Sequence, residues 1–404
     1  MKYLKMATLV CAVTFANWVF AGIAESASMT GRLSTVVEWF DDARQDAAIP
    51  IYQYGRLNIA DFGIPDLDFK MYGRVSEDLK NTVDADSRLY YGYFEKNNVS
   101  EKIDLKLGRQ FISTTAGASI MDGLFLKYGN PGSFEVKLFG GGDVSYYEGY
   151  DAKDLIGGAE VSGHFMSSLD LGLSYLQRWE EGELANELIG LDFDYDYRTA
   201  LNVYSETQYD YLSDGISYFL GGFNYHRSPT WSWRTEYLYS LPVFSSTSIY
   251  SVFAVSEYQE AMTELSYKFN PGLRSFLRYT REFYTDFEDA AVYEIGLEQI
   301  RIKRFSGYLT GILRDDEDGQ DLQGIKIYSA YVFHRYLHAG AGAHVDVLER
   351  RIDDDDDETT SSRVWIDATS YLNKQVSVQA KVEYIESDLW DEYYRGRVRL
   401  NLNF

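Results

Sequence analysis

From about residue 31 to its last residue, the chain repeats its apolar residues with a period of two rather than 3.6. The final segment shows this most plainly: Val398, Leu400, Leu402 and Phe404 alternate with Arg395, Arg397, Arg399, Asn401 and Asn403. Val376, Val378, Ala380, Val382 and Tyr384 alternate in the same way with Ser377, Gln379, Lys381 and Glu383, and Leu67, Phe69 and Met71 with Asp68, Lys70 and Tyr72. Successive side chains of a strand point to opposite faces, so each such segment has one apolar and one polar face. The 35 Tyr and only 6 Pro suit a pleated surface. Beyond the first two dozen residues no apolar run approaches the ~18 residues of a helical membrane span.

Marking each alternating segment predicts strands at 31–40, 51–61, 67–76, 87–96, 101–110, 119–127, 134–140, 155–164, 168–178, 187–195 and 198–209. The series continues at 215–227, 231–239, 258–268, 273–283, 290–300, 304–313, 323–334, 337–349, 361–371, 375–385 and 394–404. That is about 22 segments (range about 18–22) of roughly ten residues, the length of a tilted strand crossing a bilayer. The expected fold is all-β: a transmembrane antiparallel up-and-down β-barrel without a plug domain, formed by residues 25–404. Strands of a soluble sandwich are usually ~5–6 residues long, and the ~40–45-residue repeat of a propeller is missing.

The connections alternate. Asn97-Asn98, Asn130-Pro131-Gly132, Ser228-Pro229, Asn270-Pro271-Gly272 and Asn373-Lys374 carry turn chemistry. Those between them are longer and acidic, among them Asp41–Pro50, Glu77–Asp86, Glu180–Asn186 and Arg350–Thr360, with Gly141–Asp154 and Ser240–Glu257 the longest. Short turns on one side and longer loops on the other are the asymmetry of outer-membrane barrels. The formal charge of -24 is concentrated in the longer set.

Residues 1–24 read as a cleaved signal peptide. Lys2 and Lys5 precede an apolar run from Met6 to Phe20, and Ala21-Gly22-Ile23-Ala24 offers small residues for cleavage after Ala24 or Ser26. Cys11, the single cysteine, falls inside that segment, so the exported chain has no disulfide and no Cys-x-x-Cys-His haem attachment.

At its last strand the chain resembles the Gram-negative outer-membrane β-barrel channel (porin-like) superfamily, in which a terminal Phe preceded by alternating apolar residues is the signal for the insertion machinery. The matching residues are Val398, Leu400, Leu402 and Phe404, with Tyr394 further up; Gly396 departs from the pattern, where an aromatic is allowed. Leu105-Lys106-Leu107-Gly108-Arg109-Gln110 is similar to a strand of several porin-like families. The resemblance implies the cell outer membrane as the location, with its lipid, lipopolysaccharide and insertion machinery as partners, and a homotrimer as one assembly.

On this reading the polar face lines a lumen, and Lys70, Arg74, Lys106, Arg274, Arg278, Arg363, Arg395, Arg397 and Arg399 are its candidate pore-lining cations. Two functions follow. The first is a porin for passive diffusion of small hydrophilic solutes or ions, constricted by the Gly141–Asp154 and Ser240–Glu257 loops. The second is a sheath that houses a partner such as a multihaem cytochrome, as in the barrel component of porin–cytochrome conduits. No catalytic residue, cofactor or metal site is expected. His334, His338 and His344 straddle a turn without the Cys that often accompanies them in zinc sites, and the acidic run Asp353–Asp357 lacks the spacing of a calcium loop. Trp39, Tyr175, Trp179, Trp231, Trp233 and Trp390 suit interfacial girdles, and no basic, aromatic-interleaved face points to nucleic acid.

Overall fold

The computed structural model describes residues 28–41, 46–100, 102–130, 133–145, 149–166, 168–241, 257–285, 288–316, 321–349, 358–387 and 390–404. The expected signal peptide, the run Asp353–Asp357 and most of the Ser240–Glu257 connection lie outside the described residues.

Among the described residues long strands follow one another without helices. They are β1 (Ser28–Asp41), β3 (Pro50–Ala60), β4 (Leu67–Asp78), β5 (Arg88–Lys96), β6 (Ile103–Thr114), β7 (Gly117–Asn130), β8 (Phe134–Ser145) and β9 (Gly149–Phe165), with a two-residue β2 at Ala47–Ala48. Next come β10 (Leu169–Glu180), β11 (Glu183–Tyr197), β12 (Leu201–Asp210), β13 (Gly215–Tyr225), β14 (Trp231–Ser240), β15 (Tyr258–Asn270) and β16 (Leu273–Tyr284). The last are β17 (Ala290–Gln299), β18 (Phe305–Asp316), β19 (Leu322–His334), β20 (Leu337–Glu349), β21 (Glu358–Tyr371), β22 (Val376–Ser387) and β23 (Trp390–Asn403). Setting β2 aside, each coincides with one alternating segment of the sequence. Every long strand pairs antiparallel with the next, and β1 closes on β23 through Arg32↔Asn403 to Phe40↔Arg395. The result is a closed 22-strand barrel with no free sheet edge of the kind that a membrane forbids.

Curvature separates the two faces. Side chains on the convex face splay apart, and there Leu107, Ile295 and Ile366 remain 60%, 65% and 62% exposed. Those on the concave face converge and cover one another, so small polar residues such as Ser34 and Ser174 are only 1% exposed. The outer face is thus the apolar one, as a barrel in hydrocarbon requires.

At the seam, Gly31 and Phe404 exchange backbone hydrogen bonds of 2.8 and 3.1 Å. Gly396, the departure in the terminal pattern, is the register partner of Trp39, whose indole occupies the space where a Cβ would stand. An aromatic ring covering a strand glycine restores the packing that the missing side chain forfeits.

Two connections are shorter than the sequence suggests. Strands β10 and β11 are joined by Glu181-Gly182 alone, both at positive φ (52° and 89°), a tight hairpin rather than a loop over Glu180–Asn186. Most of Gly141–Asp154 is strand, because β8 runs to Ser145 and β9 starts at Gly149.

Candidate functional site

All nine candidate cations fall on the inner face. Lys70 and Lys106 flank Glu95, with Lys106 at 3.3 Å. Arg274 meets Glu298 at 2.8 Å, and Arg278 lies between Glu264 (2.6 Å) and Glu294 (2.7 Å). Arg363 and Lys381 share Glu383, the latter at 2.5 Å, while Arg395 approaches Glu38 at 3.7 Å. Arg74 donates to the Asp86 carbonyl and stands 5.1 Å from the centre of the Tyr52 ring. Arg397 and Arg399 follow Arg395 at alternate positions of β23. Val398, Leu400, Leu402 and Phe404 occupy the opposite, outer register and remain 38%, 36%, 39% and 45% exposed.

The inner wall carries one feature that the alternation does not predict. Strand β6 pairs with β5 only from Leu105 to Arg109, and β7 pairs with β8 only from Met121 onward. Between them, residues 110–120 form a hairpin that belongs to neither neighbour. Its tip reaches the inner face of β10–β12. The Ala116 amide donates to Ser174 Oγ at 2.8 Å, the Thr115 hydroxyl to Asp192 Oδ1 at 2.8 Å, and Gln208 Nε2 to the Ala116 carbonyl at 2.7 Å. Ser174, Asp192 and Gln208 all project inward, so the hairpin lies inside the barrel, over β8–β12.

Glycine makes the bend possible. Gly123 and Gly141 face each other across β7 and β8. A Cβ on Gly123 would come within 2.7 Å of the Gly141 Cα, and one on Gly141 within 2.6 Å of the Gly123 Cα, closer than real Cβ contacts. The two strands therefore crease inward where any side chain would hold them apart. Beyond the crease the hairpin lies face to face with the wall, and Ile112, Ala116 and Met121 pack with Phe139, Ile156, Leu176 and Leu188 into a core inside the barrel. Met121 and Ala116 are fully buried. Burying a side chain of this size contributes about 1.5–3 kcal/mol, enough with the three hydrogen bonds to hold the hairpin down.

The sequence carried a signal for this. Phe111-Ile112, Ile120-Met121, Leu138-Phe139, Leu155-Ile156, Tyr175-Leu176 and Leu188-Ile189 place apolar residues on both registers at once, which a wall facing water on one side has no reason to do. The expected constriction by Gly141–Asp154 is thus corrected: its described residues are strand, up to Ser145 and again from Gly149, and the inward element among the described residues is the 110–120 hairpin.

The histidines do not converge on a common centre. His344 stands edge-on to Trp365 at 4.7 Å, His338 to Tyr371 at 5.2 Å, and His334 lies beside Tyr336 at 5.1 Å. Among the described residues no group of three or more His, Cys, Asp or Glu is placed to hold a metal.

No protein-family model matches the sequence, and no curated protein matches it. Among solved structures, the P pilus usher (PapC) translocation pore is similar with a TM-score of 0.54 at 10% identity, over 93% of this chain and 99% of that one. Pseudomonas aeruginosa OpdQ aligns at 10% identity and a TM-score of 0.49, over 94% of this chain and 99% of OpdQ. Pseudomonas aeruginosa OccK11 (OpdR) aligns at 12% and 0.47, over 95% and 97%. At such identity the likeness is one of fold: the chain shares the closed β-barrel of the usher translocation pore.

Proposed function

We propose that this chain is an outer-membrane channel for passive diffusion of small hydrophilic solutes or ions, narrowed from within by the 110–120 hairpin. The observation that carries the reading is the position of that hairpin. It is fastened flat against the wall of β8–β12, so it reduces the bore without filling it, while the inner face keeps charged and hydroxyl side chains around the circumference. Rings of such groups set selectivity in pores. No described residue favours the second reading, a sheath around a cytochrome.

Liposome swelling tests the proposal. Vesicles carrying the refolded barrel are expected to swell in small neutral solutes such as glycine and to resist swelling in large oligosaccharides. Vesicles that hold correctly folded barrel and still exclude glycine contradict it.

A further inference from the structure

The ring of strand pairings is complete, yet one hairpin leaves it before reaching the rim. Pairing of β5 with β6 ends at Gly92↔Arg109, and pairing of β7 with β8 ends at Met121↔Asp143. Strand β5 extends past this level to Arg88, and β8 past it to Ser145. Among the described residues no strand pairing joins these two extensions to the hairpin or to each other. Folding residues 110–120 inward therefore leaves a notch in the wall, with Arg109 and Asp122 at its base.

The notch begins within the apolar band. Arg109 is in register with Gly92 and, through it, with Met71, and Val75 lies further along the same outer face of β4. Leu89, on β5 above the base, is exposed on that face as well. Arg109 Nη1 donates to the Leu89 carbonyl at 3.4 Å, so the base caps part of the edge it uncovers. Backbone without a strand partner at membrane depth is tolerated where it lines a water-filled cavity. Here the bore supplies the water.

The hairpin carries one of its faces through this notch. Below the crease that face meets lipid at Leu107 and Leu124, both exposed. Above the crease, Ile112 and Met121 on the opposite face are buried against Phe139, Ile156 and Leu176 of the inner wall. Phe111 and its cross-strand partner Ile120 are thereby turned to the bore, and Phe111 is 63% exposed. The strip from Leu107 to Phe111 is four residue steps, about 13 Å. Its one polar interruption is the pair Arg109 and Asp122, which neutralise each other at 2.7 Å.

We propose that the notch is a lateral route between bore and lipid for single-chain amphiphiles, molecules with one alkyl chain and a small polar head. The chain lies along Phe111, Ile120 and Leu107 while the head stays in the water of the bore. Moving from this strip into the bilayer exchanges one apolar surface for another, so the chain is kept from water throughout. The strip is two strands wide, with about 5 Å between them, which suits one chain. The route rests on a bore open to water, as the channel reading does, and its opening to lipid goes beyond that reading.

Site-directed fluorescence tests it. In a Cys11→Ser background, Phe111→Cys, Leu277→Cys and Thr280→Cys each place one thiol for a bimane label: on the hairpin, on the outer wall and on the inner wall. The full chain is refolded into vesicles of lipid brominated on its acyl chains, with iodide supplied on both sides; a heat-dependent shift in gel migration certifies each barrel. The Leu277 label should lose emission to brominated lipid alone and the Thr280 label to iodide alone. The Phe111 label is expected to lose emission to both. Dodecanoate should shift the Phe111 label to the blue and shield it from iodide. Acetate, with the same head and no chain, should do neither, and neither acid should affect the Thr280 label. Ile120→Cys, on the same face, repeats the measurement where Phe111→Cys does not fold. A hairpin label reached by lipid alone, by iodide alone or by neither overturns the proposal. So does dodecanoate that acts no differently from acetate, or equally at Thr280. A Thr280 label that iodide never reaches contradicts the channel reading. Quenching of Thr280 by iodide, with a hairpin label that lipid does not reach, contradicts only the lateral route.

Discussion

The backbone nitrogen of Ala116 lies where the Cβ of Gly190 would be, so the hairpin rests on the barrel wall through the absence of one side chain. Ser174, the register partner of Gly190, accepts the Ala116 amide at 2.8 Å and donates to the Gly190 carbonyl at 3.4 Å. Replacing Gly190 by Leu is expected to lift the hairpin, because forcing atoms into a filled site costs about 1–3 kcal/mol. Conductance of the folded variant in planar bilayers should rise above that of the parent. An unchanged conductance would mean that the hairpin is not the narrow point.

A second prediction concerns charge on the outer register. Arg109 and Asp122 are cross-strand partners there, joined by hydrogen bonds of 2.8 and 2.7 Å. A lone charge facing lipid costs about 2–4 kcal/mol at mid-depth. Asp122→Ala is therefore expected to destabilise the barrel by roughly that amount, and the pair Arg109→Leu, Asp122→Leu by much less. Urea unfolding in lipid vesicles measures both; equal losses in the two variants contradict the account.

The seam offers a third. Trp39 covers Gly396 where β1 meets β23, and a Cβ there would overlap the indole. Gly396→Ala should displace the ring and cost about 1–3 kcal/mol, and in the double variant Trp39→Ala, Gly396→Ala most of that loss should be recovered. The readout is again the urea midpoint at constant slope.

These contrasts mark what the sequence reveals and what it hides. The strands were legible because a period of two survives wherever one face meets lipid and the other water, as in Val398 to Phe404. The hairpin was not, since its strands are continuous with the wall strands β6 and β7, and the crease at Gly123 and Gly141 is a contact between strands that no single segment displays. Its trace lay in the doubled apolar pairs such as Leu155-Ile156. The stacking of the Tyr72 and Tyr90 rings, 4.9 Å apart, was hidden too, because the two become neighbours through the bulge in the β4–β5 register near Tyr72 and Gly73.

A pH prediction follows from the outer rim. Strand β4 ends at Asp78, beyond Val75, the last apolar residue of its outer register, and outside the hydrocarbon band. Burial alone would raise this carboxyl, but amides of Val83, Ile49, Thr82 and Lys80 donate to it at 2.6–3.3 Å and hold it below its ordinary value of 3.8. A folded-state pKa below the unfolded one stabilises at pH above the unfolded value, and the contribution disappears as pH falls through the folded one. Hydrogen exchange at the Thr82 and Val83 amides, corrected for intrinsic rate, should stay slow at neutral pH and quicken below pH about 4. Asp78→Asn should exchange quickly at both, and a parent with no acid transition contradicts the assignment.

The central claim is a solute path bounded by the wall and the 110–120 hairpin. Single-channel recording in planar bilayers, comparing the parent with a chain whose residues 110–120 are replaced by a two-residue turn, tests it most directly. Discrete conductance steps in the parent and larger steps in the shortened chain are the predicted result. Folded, inserted barrels that carry no current in either form would contradict it.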